Sequence, residues 1–117
     1  MSEWKTGNAL TDGAARRGWL VGHFVEEGDI RQSEDVELKW AFHPSGDERA
    51  EWVTGEICTT VLVLISGRFE ITLSDGSAVL SAQGDYAIWG PGVDHSWRAL
   101  EDSVMLTVRW PSHPKLA

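Results

Sequence analysis

The chain has 117 residues, of which 42% are hydrophobic and 24% charged, and its net charge is −8. This composition is typical of a globular protein and excludes collagen, coiled coils and wholesale disorder. The length predicts a single domain over residues 1–117. The acidic charge and the lack of a basic stripe argue against nucleic-acid and membrane partners. A polar N-terminus and a single cysteine, Cys58, predict a cytoplasmic protein whose thiol is buried in a strand.

The patterns predict an N-terminal arm over residues 1–17 and a barrel of about eight short strands over residues 18–110. The arm can hold one turn of helix within residues 9–17, capped by Thr11 or Asp12. Alternating polarity predicts strands at 18–26 and 36–43, followed by 51–66 with a break near Gly55. Turn signals separate further strands at 68–73, 78–81, 84–89, 95–100 and 104–110.

The predicted strand 36–43 has two chemically different faces. Its even-numbered residues are all apolar, whereas the odd-numbered ones include Glu37, Lys39 and His43. The simpler interpretation puts the apolar face in the core and the polar face in solvent. The alternative puts Lys39 and His43 into an open barrel end.

Tryptophan is unusually abundant, with seven residues against one tyrosine and three phenylalanines. A small core does not need seven indoles, so some of them should line a pocket or an oligomer interface. Residues 61–65 are apolar on both strand faces, which requires cover on both sides. We therefore expect a homodimer.

The segment that starts at Gly84 resembles the second sequence motif of the cupin family. Five residues separate Gly84 from Gly90-Pro91-Gly92, and His95 follows at the family's spacing, with Gly90 where the family has proline. Residues 65–69, with Gly67 as turn glycine, resemble the end of the first cupin motif. The resemblance covers about residues 36–110 and implies an all-β fold, the double-stranded β-helix or jelly-roll barrel.

The metal site that the resemblance implies looks degenerate. Cupins typically bind a divalent metal through a His-x-His pair and a glutamate in the first motif and a histidine in the second. Counting back from Gly67 puts the glutamate position at Thr60 and the two histidines at residues 53 and 55, or 54 and 56, none of which is histidine. Only His95 remains, so we expect no cofactor. If a divalent metal does bind, its ligands are expected among His43, His95, Glu56 and Glu51.

The same resemblance points His95 into the barrel mouth, where an imidazole with a pKa near 6.5 suits acid–base chemistry. The alternative is a buried histidine bonded to a backbone carbonyl. Lys39 is the second candidate for acid–base catalysis. Arg109 is either an anion clamp inside the barrel or an ordinary edge charge, and His23 is expected at the surface. The candidate ligand contacts are His43, Trp40, Thr60, Trp89, Trp97 and Arg109.

Three classes of function remain open. The expectation is a cupin-like protein that binds a small molecule in its barrel, with its activity unassigned. The alternative is a small isomerase, epimerase or lyase that uses His95 as its acid–base group. A metal-dependent dioxygenase with relocated ligands is disfavoured by the missing His-x-His pair. Fold resemblance alone does not identify a substrate.

Overall fold

The computed structural model describes residues 3–114; residues 1–2 and 115–117, at the outer ends of the predicted arm and domain, lie outside the described part. Eight strands form two antiparallel sheets, which confirms the predicted all-β jelly-roll class. The strands are β1 (Trp19–Val21), β2 (Glu37–His43), β3 (Thr59–Ser66), β4 (Phe69–Leu73), β5 (Gly76–Leu80), β6 (Tyr86–Trp89), β7 (His95–Ala99) and β8 (Ser103–Trp110). The larger sheet has the order β1-β2-β8-β3-β6 and the smaller one β5-β4-β7. No helix within residues 3–114 is long and apolar enough to cross a bilayer.

The N-terminal arm contains a short helix, α1 (Ala9–Asp12), and a 3₁₀ turn over Ala14–Arg16. The helix cap is Asn8, whose side-chain oxygen accepts hydrogen bonds from the amides of Leu10 and Thr11. The prediction of Thr11 or Asp12 as the cap was therefore wrong. Each of them lies inside the turn of helix that it was expected to start.

Two predicted strands are shorter than their sequence patterns suggested. Strand β1 ends at Val21 because the carbonyl of Gly22 accepts hydrogen bonds from the amides of Val25 and Ser33, which turns the chain away from β2. Residues 51–58 form no strand, and only Val53 pairs in a ladder position, with His95. The segment that precedes β3 is therefore a loop lying across one end of the barrel.

The register of the larger sheet determines which side chains face the interior. Glu37, Arg109, Thr60 and Trp89 are neighbours across four strands, so they share the inner face. Glu37 and Thr60 are buried, whereas Phe42 on the opposite face of β2 is exposed. The expectation that the polar face of β2 meets solvent was therefore wrong. The charged residues turn inward because this sheet encloses a polar cavity as well as an apolar core.

The apolar core lies between the two sheets and forms the floor of that cavity. Its best-buried side chains are Leu64, Phe69, Ile71 and Met105. Cys58 is buried at the start of β3, as predicted, and burial raises the pKa of its thiol. Gly67 has a positive φ of 98°, and a Cβ there would collide with the backbone of the 102–103 turn. Only glycine fits this turn between β3 and β4.

Candidate functional site

A cavity with a volume of about 620 Å³ opens at one end of the barrel. This volume is in the usual range for small-molecule sites. Its wall is formed by the inner faces of β1, β2, β3, β7 and β8 and by the loop over residues 52–56. Four cationic side chains, Arg17, Lys39, Arg49 and Arg109, line it together with two carboxylates, Glu37 and Glu56.

Arg109 is the centre of an ion-pair network in the cavity wall. Its Nε donates to Glu37 Oε1, and its Nη1 donates to Glu56 Oε2 at 3.0 Å. The guanidinium also lies 4.2 Å from the ring centre of Trp19, a favourable position for a cation over an aromatic face. Arg109 therefore bonds to both cavity carboxylates. The interpretation of Arg109 as an ordinary edge charge was wrong.

Glu37 is fully buried behind Arg109, and its second oxygen has two further partners. Ser112 Oγ donates to Glu37 Oε2 at 2.8 Å, and His23 Nδ1 lies 3.1 Å from the same oxygen. His23 Nδ1 also lies 2.7 Å from Ser112 Oγ. The expectation of a surface position for His23 was therefore wrong, since its side chain is mostly buried and lines the cavity. These hydrogen bonds and the ion pair offset the cost of burying a carboxylate.

His95 points into the cavity from the start of β7, as the resemblance implied. Its Nε2 lies 3.6 Å from Glu56 Oε1, and its Nδ1 lies 3.5 Å from the carbonyl oxygen of Val93. Trp89 packs against the imidazole at 4.7 Å between ring centres. Burial lowers the pKa of His95, and the charge of Glu56 only partly opposes this effect. The imidazole is therefore mainly neutral near pH 7.

Lys39 is the other titratable group with a perturbed pKa in the cavity. Burial, and secondarily the charge of Arg109, lower the pKa of its ammonium group. Its Nζ lies 5.5 Å from the ring centre of Trp19. Within residues 3–114 it has neither an ion pair nor a hydrogen bond. The cavity therefore contains a partly buried cation that makes no direct contact with a carboxylate of the described chain.

The wall opposite the ion-pair network is aromatic. The indole of Trp97 stacks on Phe69, with 5.3 Å between ring centres and an interplanar angle of 25°. His43 lies against the same indole at 4.4 Å, and its Nδ1 contacts Asp47 Oδ2 at 2.9 Å. This wall offers a flat apolar surface beside the cations, as a ligand with a planar or apolar body requires.

The structure places most of the predicted site residues together. The cavity is lined by His95, Lys39, His43, Thr60, Trp89, Trp97 and Arg109. Trp40 is an exception, because its place between Lys39 and Ala41 on β2 turns it to the outer face of the sheet. Glu51 is the other, because it is exposed and outside the cavity.

The prediction missed Glu37 and Trp19, which bracket Arg109. The alternation of polar residues over 37–43 was the available signal, but the simpler interpretation of it placed these side chains in solvent. Had one face of β2 been assigned to a cavity, Glu37 would have been grouped with Lys39 and His43.

The chain is similar in structure to several solved proteins. No family model and no curated protein matches the chain. Among solved structures, KdgF from Halomonas sp. matches with a TM-score of 0.64 and 21% identity, over 88% of this chain and 95% of that one. The conserved SPY1581 protein of unknown function from Streptococcus pyogenes matches with a TM-score of 0.64 and 17% identity, over 97% and 92%. The cupin domain of Schizosaccharomyces pombe Cnp3 matches with a TM-score of 0.59 and 15% identity, over 80% and 59%. The chain has the cupin fold.

The residues at the usual metal position of the cupin fold do not suit a metal ion. The loop that precedes β3 brings Val53, Thr54, Gly55 and Glu56 to the cavity beside His95 and Thr60. Of these, only Glu56 and His95 offer good ligand atoms, and Glu56 is already bonded to Arg109. The alternative set also fails, because Glu51 is exposed and His43 contacts Asp47. The described chain contains no group of three His, Cys, Asp or Glu side chains that could hold a metal.

Proposed function

We propose that this cupin-fold protein binds a small carboxylic acid in its barrel, with the carboxylate at Lys39. The observation that supports this proposal is that Lys39 has no ion-pair or hydrogen-bond partner for its ammonium group among the described residues, in a cavity where both carboxylates are bonded to Arg109. Keeping an ammonium ion buried without a partner is unfavourable, and an anionic ligand removes that cost. Arg17 and Arg49, exposed at the rim, attract anions despite the net charge of −8.

The shape of the cavity indicates the rest of the ligand. A carboxylate at Lys39 would have the Trp19 ring beside it and the stacked Trp97–Phe69 pair across the cavity. His95 supplies one neutral hydrogen-bonding group. The ligand class is therefore an acid with an apolar or planar body and at least one further polar group, since Thr60 and Thr107 also line the cavity.

Matched pairs of compounds test this proposal directly. Isothermal titration calorimetry would compare benzoate with benzamide and succinate with succinamide, since each pair keeps its shape but changes its charge. We expect at least one acid to bind about tenfold or more tightly than its amide, because a hydrogen bond to a charged group contributes about 1.5–3 kcal/mol. Lys39→Met should remove that preference. Lys5→Met, a matched control at an exposed lysine outside the cavity, should keep it.

Two results would contradict the proposal. One is equal or stronger binding of the amides by the unmodified protein. The other is an acid preference that survives Lys39→Met, because the anion would then sit elsewhere, at Arg17, Arg49 or Arg109.

A second candidate function is proton transfer, as in an isomerase, epimerase or lyase, and the His95–Glu56 pair favours it. If Nδ1 of a neutral His95 donates to the Val93 carbonyl, Nε2 is free to accept a proton from a bound acid. The charge of Glu56, 3.6 Å away, would then stabilise the imidazolium that forms. Lys39 would be the second acid–base group, because its lowered pKa brings it closer to neutral pH.

Solvent deuterium exchange separates binding from proton transfer. The protein would be incubated in D₂O with each acid that it binds, and loss of C–H signals followed by proton NMR. Exchange that disappears in His95→Gln while binding persists would support an enzyme. Binding without exchange would leave the protein as a binding module.

A further inference from the structure

Lys39 combines three features of a nucleophilic lysine. Its side chain lines the cavity, which opens at one end of the barrel, so a small molecule can reach the amine. Its ammonium group has no ion pair within residues 3–114, so no carboxylate there holds the nitrogen in its charged form. Its environment is cationic, because Arg17, Arg49 and Arg109 line the same cavity. An amine that is desolvated beside other cations is an activated nucleophile, because a larger fraction of it is neutral.

The sheet holds the Lys39 side chain between its two neighbouring strands. Lys39 pairs with Trp19 on β1 and with Thr107 on β8, so these three residues form a row on the inner face. The ring centre of Trp19 lies 5.5 Å from Lys39 Nζ and 4.2 Å from the Arg109 guanidinium. One indole therefore lies beside both cations. Burial, and secondarily this proximity of Arg109, lower the pKa of Lys39.

We propose that Lys39 forms a reversible imine with 2-oxo acids that enter the cavity. The inference rests on the proposed binding of an acid at Lys39 and adds the group that reacts there. A 2-oxo acid carries its carbonyl carbon next to its carboxylate, so a nitrogen that binds the carboxylate is also within reach of the carbonyl. The stacked Trp97–Phe69 pair favours an apolar or planar group on the other side of that carbonyl.

The reaction exchanges a C=O bond for a C=N bond. Lys39 first releases one proton, and its neutral amine attacks the carbonyl carbon while a proton moves from nitrogen to oxygen, which gives a carbinolamine. The hydroxyl then takes up one proton and leaves as water with the electrons of the C–O bond. The nitrogen lone pair completes the C=N bond, so the product is a protonated imine. Thr107, directly across from Lys39, offers a hydroxyl that can hydrogen-bond to the carbinolamine.

The charge of the product suits the site. A protonated imine keeps one positive charge on the Lys39 nitrogen, and the carbon bonded to that nitrogen bears the carboxylate of the ligand. The attraction that binds the acid is therefore retained after the reaction. The imine also withdraws electrons from the neighbouring carbon of the ligand, which makes its C–H protons easier to remove. Imine formation would thus assist the proton transfer suggested for His95.

Reductive trapping on the full chain tests the inference. Sodium cyanoborohydride donates hydride to an imine and leaves a stable secondary amine, which adds to the lysine the mass of the acid less one oxygen atom. The protein would be treated with phenylpyruvate and this reductant, and peptide mass spectrometry would compare Lys39 with Lys5. Lys5, which is exposed and paired with Asp29, is the matched control. We expect trapping at Lys39 to be about tenfold or more faster, because each unit by which a pKa is lowered gives tenfold more neutral amine.

Two further measurements separate the imine from the binding of the acid. 3-Phenyllactate has the carboxylate and ring of phenylpyruvate but a hydroxyl in place of the carbonyl, so it should slow trapping at Lys39 without being trapped itself. Lys39→Arg keeps a cation but removes the nucleophile, since a guanidinium does not lose its proton. This variant should still bind phenyllactate in calorimetry, and phenylpyruvate should label it only at the slow rate of its other amines.

The possible outcomes distinguish the two proposals. Trapping at Lys39 that is no faster than at Lys5 would overturn the imine. If phenyllactate nevertheless binds, and Lys39→Met weakens that binding, the proposed acid site stands alone. Rapid trapping at Lys39 that phenyllactate does not slow would support the nucleophile and contradict the acid site.

Discussion

Removal of the Glu37 side chain tests the buried ion-pair network that shapes the cavity wall. Glu37 accepts hydrogen bonds from Arg109 and from Ser112, and His23 lies against the same carboxylate. In Glu37→Ala, Arg109 keeps only Glu56 as an ion-pair partner, and Ser112 loses the carboxylate to which it donates. Breaking a buried pair in this way costs about 3–5 kcal/mol. Glu37→Gln keeps the shape and one acceptor, so it should cost about 1–3 kcal/mol.

Equilibrium urea unfolding followed by tryptophan fluorescence measures these losses. Urea is preferred to guanidinium because it carries no charge and leaves ion pairs unscreened. For a chain of this length, about 3 kcal/mol corresponds to a fall in Tm of about 10 °C or more. Glu101→Ala, which removes an exposed carboxylate from a turn, is the control. A loss below about 1 kcal/mol in Glu37→Ala, or one equal to that of the control, would refute the argument, because Arg109 would then be stabilised by cavity water instead.

Three further predictions concern single titratable groups. Burial lowers the pKa of His95, so the unfolded chain binds more protons at acidic pH. The free energy of unfolding should therefore decline as the pH falls below about 6.5. Urea unfolding between pH 7.5 and pH 5 should show a smaller decline in His95→Gln than in the unmodified protein. Lys39→Met should raise the free energy of unfolding of the ligand-free protein, and a fall in its melting temperature would contradict this. The same variant should bind acids about tenfold or more weakly in calorimetry. Cys58 should react with a thiol reagent only in urea, and labelling of the native protein within minutes would show that it is accessible.

The fold was predictable because its signals are local. Turn residues separate the strands, alternating apolar residues define β2 and β8, and the spacing from Gly84 to His95 indicates the cupin arrangement. Where the prediction failed, long-range hydrogen bonds decided the outcome. Bonds from Gly22 to distant residues end β1, and the loop over residues 52–56 follows the cavity instead of joining β3.

The candidate site was only partly predictable, because the direction of a strand face depends on the whole barrel. Lys39 and His43 were placed among the candidates, whereas Glu37 on the same face was not, since a carboxylate facing inward is expected only when its partner is known. That partner, Arg109, lies 72 positions further along the chain. Trp40 was also placed on the wrong side of its strand. A tryptophan in an alternating strand typically faces the interior, but here the polar face of β2 turns inward and Trp40 lies on the outer face.

Strand β1 makes one side of the cavity easier to open than the others. It has three residues, lies at the edge of its sheet and pairs with β2 in a shifted register, yet its Trp19 side chain lies against both Lys39 and Arg109. Detaching a short edge strand costs much less than global unfolding, since few backbone hydrogen bonds break and the pairing of β2 with β8 and of β8 with β3 persists. The wall formed by β1 is therefore the part of the cavity for which we expect local opening to cost little free energy.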